Sequence, residues 1–287
     1  MPIATPIVGR SSPVETNRGS WDLKQLQLEG NEGGPIPLSS LAWLKPLPAS
    51  ASDDELRSAY YRDGVVHITG VMDREKVLDT RERFFSHLAQ SGVLKEGSSP
   101  REGIFRGGDP SLFAGPGTVT FNTSVQANEY LRLSTEAGRM DFIDNFVHDE
   151  DLLRMVKRIK NDWSEPFLFK RQLLRSNIPK SERSSTKVHY DQVFLRGAGP
   201  TSLTAWVPIG DISPRSGGLL YLEDSVTLGL EIEDAFTEMN KNLTAEERLS
   251  AFNVNMTEQG ALTSDAAEFA ARHQRRWLAM LYFTTLA

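Results

Sequence analysis

The run Val188-His189-Tyr190-Asp191-Gln192-Val193-Phe194-Leu195 sets two metal-binding residue types two positions apart. Its β-branched and aromatic neighbours predict a strand, and side chains at i and i+2 of a strand point the same way. His189 Nε2 and the Asp191 carboxylate can therefore reach one metal ion from a single sheet face. They would supply two of the three protein ligands of a 2-His-1-carboxylate facial set, the arrangement that holds non-haem iron with open positions. A second reading uses the same residues: Asp191 orients a core histidine by hydrogen bond. An H-x-D pair alone does not decide between the two. Of the five histidines, His189 is the one embedded in a strand-like run with an acid two residues on.

Composition limits the partners. The chain has 287 residues, 39% hydrophobic and 24% charged, which is enough for one elaborated core. A net charge of -6 offers no basic footprint for a polyanion, which argues against nucleic acid and anionic membranes and for a small-molecule substrate. Cysteine is absent, so disulfides, thiolate zinc sites and cysteine nucleophiles are excluded together, and a metal must be held by His and carboxylate. No apolar run approaches the roughly 18 residues needed to span a bilayer, and residues 1–20 lack the apolar stretch of a secretion signal. The expected location is the cytoplasm.

The elements that must position the pair can be read in outline. Residues 1–50, rich in Pro, Ser and Gly, predict a poorly ordered N-terminal arm whose Trp21 and Trp43 dock on the body, with a single domain over 51–287. Asp53 and Asp54 are candidate caps for a helix through Tyr61, a short strand follows over 65–68, and a second helix spans 73–90. Glycine and proline crowd residues 92–120, a long loop of the kind that covers sites. Helical period returns over 141–163. Strand-like runs then occupy 166–174, 187–195, 202–209, 218–222 and 277–283, with helices over 229–249 and 265–276, the latter capped by Thr263 or Ser264. Several short strands between turns argue for an antiparallel barrel or sandwich.

Four stretches carry a resemblance. Phe169-Lys170-Arg171-Gln172-Leu173-Leu174-Arg175-Ser176-Asn177 precedes His189-Tyr190-Asp191-Gln192-Val193-Phe194-Leu195-Arg196. Thr204-Ala205-Trp206-Val207-Pro208-Ile209-Gly210-Asp211 and Gly217-Gly218-Leu219-Leu220-Tyr221-Leu222-Glu223-Asp224-Ser225 follow. In that order they resemble phytanoyl-CoA dioxygenase-like proteins over residues 55–278, above all the microbial and especially fungal members. Asp63-Gly64-Val65-Val66-His67-Ile68-Thr69-Gly70 is similar to the family's first strand, which makes His67 a packing residue.

The resemblance implies a mainly β fold with α-helices: a double-stranded β-helix core (jelly roll, cupin-like) flanked by helices. It implies Fe(II) held by His-x-Asp and a distal His, with 2-oxoglutarate and O2 as co-substrates and ascorbate as an optional activator. The activity implied is oxidation of a small lipophilic metabolite of the secondary-metabolism type, with 2-oxoglutarate converted to succinate and CO2. Residue by residue, His189 and Asp191 match metal ligands, Leu173 matches the 2-oxoglutarate pocket, and Trp206 matches a family tryptophan that is either core or pocket wall.

In relatives, the equivalent of Arg275-Arg276-Trp277-Leu278 leads into a strand with the distal His and another with the Arg that pairs with 2-oxoglutarate. Here Ala279-Met280-Leu281-Tyr282-Phe283-Thr284-Thr285-Leu286-Ala287 stands in that place, so the late core strands are expected to be missing. His273, beside Arg272, Arg275 and Arg276, reads as a solvated helix face, since those charges repel Fe(II). Arg275 and Arg276 are either substitute anchors or cations at a helix C-terminus. An open sheet edge invites pairing, so a homodimer, or a heteromer with a full-length paralogue in which this chain is a catalytically deficient stabilising subunit, is a second expectation. A non-catalytic ligand-binding module is a third.

Overall fold

Local signals at Ser52 start the first helix. The Glu55 N–H donates to Ser52 Oγ at 3.3 Å, and the Ser52 N–H donates to Glu55 Oε2 at 2.9 Å. This capping box satisfies donors that a helix N-terminus leaves open and begins α1 (Asp53–Asp63). Asp53 and Asp54, the expected caps, sit in its first turn instead, where their charge favours the helix dipole. α1 ends at Gly64, whose φ of 71° is left-handed and costs glycine little. Asp73 caps α2 (Arg74–Leu88).

A computed structural model describes residues 4–6, 27–28, 34–116, 122–170, 172–181, 187–191, 202–212, 217–244, 246–247, 261–263 and 265–280. α3 (Val125–Ala137) has no counterpart among the expected elements, although Ser124 caps it and Ala127, Tyr130, Leu133, Ser134 and Ala137 bury one face. The single helix expected over 141–163 is two, α4 (Asp141–Val147) and α5 (Glu150–Ile159). Asp149 divides them, because its carboxylate accepts the Asp151 and Leu152 N–H groups and caps a new helix. α6 (Ser225–Met239) starts ahead of the expected 229, and α7 (Ala266–Arg272) is capped by Asp265, with Thr263 Oγ1 accepting the Asp265 N–H at 3.0 Å. Ser264 and most of 245–260 lie outside the described residues.

Four strands form one mixed sheet in the order β1 (Ala4–Pro6), β5 (Leu219–Leu222), β6 (Trp277–Ala279), β2 (Leu41–Trp43). β1–β5 and β5–β6 are antiparallel, as expected of a sandwich, whereas β2–β6 is parallel. β3 (Pro46–Pro48) and β4 (His67–Thr69) form a separate parallel pair. β2 and β3 thus belong to the segment read as an arm, and Trp43 packs against the main core; Trp21 lies outside the described residues.

A closed jelly roll is not formed by the described residues. Of the runs expected to be its strands, 187–191 is bridged at Val188 to Thr263 and forms no longer strand among the described residues. The described parts of 166–174 and 202–209 are held by helices instead of by ladder partners: the Gln172 N–H donates to Gly138 O beyond α3 at 3.3 Å, and Ile209 O accepts from Arg81 of α2 at 3.4 Å. Residues 192–195 and 281–283 of the expected strands lie outside the described set.

Alternation along β5 and β6 divides the core. Leu220, Leu222, Trp277 and Ala279 face α6 and α7, joined by Phe236, Phe269 and Ala270. Tyr221 and Leu278, one position out of phase, face the other way with Met280, Leu44 and Trp206. A helical cluster of Phe84, Leu88, Tyr130 and Leu133 and a smaller one of Leu56, Met155 and Ile159 complete the interior.

A candidate metal centre

Val188 and Tyr190 are fully buried beside Trp277 and Leu222. Period two then turns His189 and Asp191 to the opposite side. His189 Nδ1 lies 2.7 Å from Lys187 O. That bond places the proton of the neutral ring on Nδ1 and the lone pair on Nε2. Nε2 stands 3.5 Å from Asp191 Oδ1, so two electron-rich atoms converge on a point where only a cation, proton or metal, is favourable.

Each partner is braced from behind. Thr204 Oγ1 donates to Asp191 Oδ2. The Tyr190 hydroxyl donates to Glu233 Oε2 of α6 at 2.7 Å, anchoring the residue between the two donors. Burial opposes ionisation of Asp191, but its contacts with His189 and Thr204 outweigh it and hold the carboxyl below its usual range. Asp191 is ionised at neutral pH. Its side chain is 47% exposed while that of His189 is 14% exposed, so the site opens on the carboxylate side.

Tyr221 completes the surroundings. Burial, reinforced by the Asp191 charge, pushes its phenol well above the ordinary tyrosine value, so Tyr221 is a neutral hydroxyl at any physiological pH. Trp206 is half-buried against Tyr221, Leu278 and Met280. Leu173 is 63% exposed, while its neighbours Leu174 and Ile178 pack into the helical cluster.

Other sequence candidates lie elsewhere. His67 is buried in β4, and desolvation keeps its imidazole below the usual value. His273 ends α7 with its ring 4.7 Å from that of Phe269. Arg275 Nη1 donates to Glu223 O at 3.0 Å, and Arg276 grips the Glu223 carboxylate through two bonds of 2.9 and 2.6 Å. Both arginines thus tie β6 to the turn between β5 and α6. Among the described residues, no third His, Asp or Glu gathers with His189 and Asp191. The described part of the long loop, 92–116, is fastened to α2: Arg81 donates to Arg101 O at 2.7 Å and Glu102 O at 2.6 Å, and Arg101 returns a bond to Asp79 at 3.0 Å.

Thr204, Tyr221 and Glu233 were not candidates from sequence. Alternation could have found Tyr221, which lies between two core leucines, whereas Thr204 acts on Asp191, a neighbour that folding brings near. Glu233 had no such signal.

An imidazole nitrogen and a carboxylate oxygen converging on one point, each fixed by a bond on its far side, are of the donor types that a mononuclear metal centre uses. They fit two protein positions of an Fe(II) ion. The phytanoyl-CoA dioxygenase family model matches residues 60–261, more than half of the chain, and the chain belongs to that family. Its members have a jelly-roll fold and are in general Fe(II)- and 2-oxoglutarate-dependent oxygenases. No curated protein and no solved structure matches. No helix among the described residues is long and apolar enough to cross a membrane.

Proposed function

We propose that this chain is a non-haem Fe(II)/2-oxoglutarate-dependent dioxygenase acting on a small lipophilic metabolite of the secondary-metabolism type. The convergence of His189 Nε2 and Asp191 Oδ1 at 3.5 Å, in a member of this family, carries the reading. The overall reaction converts substrate C–H, O2 and 2-oxoglutarate into C–OH, succinate and CO2. Bound iron would supply the O2 activation that couples the two oxidations.

The chain's own residues bind and orient. His189 offers the Nε2 lone pair because Lys187 O holds its proton on Nδ1. Asp191 supplies a carboxylate that stays ionised and offsets metal charge. Trp206, two residues from Thr204, packs with Leu278 and Met280 in an apolar cluster, and an apolar surface of this kind would suit a lipophilic substrate. Tyr221 presents a neutral hydroxyl, able to donate to a carboxylate or carbonyl oxygen without bringing a charge. We assign Leu173 to the 2-oxoglutarate pocket from the resemblance of residues 169–177 to the family, and its side chain is 63% exposed.

The test is succinate formation by the aerobic chain supplied with Fe(II) and 2-oxoglutarate, with and without ascorbate. Turnover by the parent chain and its loss in His189→Ala and Asp191→Ala are expected. Equal succinate from parent and variants would overturn the assignment.

A further inference from the structure

We propose that Thr204 is a positioning residue that makes Asp191 a one-oxygen metal ligand: its hydroxyl occupies Oδ2 and leaves Oδ1 turned to His189 Nε2. The inference rests on the metal-centre reading above. A carboxylate turns easily about its last torsion, so an untethered Asp191 could chelate through both oxygens or swing away. The Thr204 hydrogen bond removes that freedom from one side, and the 3.5 Å approach to Nε2 defines the oxygen that remains.

Thr204 is itself well placed to hold a direction. Three neighbours on its segment enter three different apolar clusters: Leu203 packs with Leu56 and Ile159, Trp206 with Leu278 and Tyr221, and Ile209 with Phe84 and Leu133. The backbone carrying Thr204 is fixed along its length, and threonine's branched β-carbon restricts its first torsion. The side chain itself is exposed, so substitution leaves these clusters intact.

Co(II) alone, titrated into the metal-free full-length chain and followed by its visible absorption, tests the role. Thr204→Val keeps the shape and removes the donor; Thr204→Ala is a second donor-free variant; Thr204→Ser restores the hydroxyl. Outer partners of metal ligands contribute about 10–100-fold in affinity, so both donor-free variants should bind at least about tenfold more weakly, with an altered band. Serine should recover parental binding, and the metal-free melting temperatures of all four chains should agree. Parental affinity and spectrum in the valine and alanine variants would overturn the Thr204 role while leaving the metal centre standing. Failure of the parent chain itself to take up Co(II) would overturn both.

Discussion

Tyr190 determines where its two neighbours point. With its ring in the main core and its hydroxyl on Glu233, the chain can satisfy that burial only by presenting His189 and Asp191 on the other side. Tyr190→Phe should cost about 1 kcal/mol in urea unfolding, the usual worth of one such hydrogen bond, and an unchanged midpoint would contradict the anchor. This part of the site was legible in sequence because strand period depends on residue order alone. Thr204 was not, since its role depends on a neighbour brought in by folding.

His67 makes a pH prediction at the same scale. Its buried imidazole resists protonation, whereas in the unfolded chain it takes a proton near pH 6.5. As pH falls below about 6.5 the unfolded state binds more protons, so stability declines until the lower folded value is passed and is fully present above 6.5. Urea unfolding at pH 7.5 and pH 5 should show a smaller loss for His67→Leu than for the parent, and an equal loss would contradict the account.

Among elements, the extended segment 202–209 connects the site to the helices. Arg81 holds it through Ile209 O while gripping Arg101 O and Glu102 O, and its guanidinium lies 4.9 Å from the Phe85 ring. Arg81→Ala should destabilise the fold by about 2 kcal/mol, the scale of losing charge-assisted bonds in a partly buried setting, and should speed hydrogen exchange over 95–104. Unchanged exchange there would show that the loop is held by other contacts. The positions of helices α1 and α2 were readable in sequence, although Ser52 caps the first where Asp53 or Asp54 was expected. The break between α4 and α5 was not, because Asp149 looks like an ordinary helix-face acid until its carboxylate caps the next turn. Parallel pairing of β2 with β6 joins segments from opposite ends of the described chain, and no local pattern announces such a partner.

For the whole molecule, the two faces of the β1–β5–β6–β2 sheet divide the labour. One face is sealed by α6 and α7 around Trp277; the other carries Tyr221 and Leu278, against which Trp206 packs. Trp277 is fully buried and its indole N–H donates to Ala266 O at 3.0 Å, so Trp277→Ala should cost about 3–5 kcal/mol. Because Tyr190 shares that core, metal uptake should weaken as well; loss of stability with undiminished uptake would separate the sheet from the site. The central claim is that His189 and Asp191 hold an iron that 2-oxoglutarate can chelate, and anaerobic titration of the folded chain with Fe(II) and 2-oxoglutarate tests it most directly. A visible charge-transfer band that saturates, and that is absent from His189→Ala, is the predicted result; folded parent chain that develops no band would contradict it.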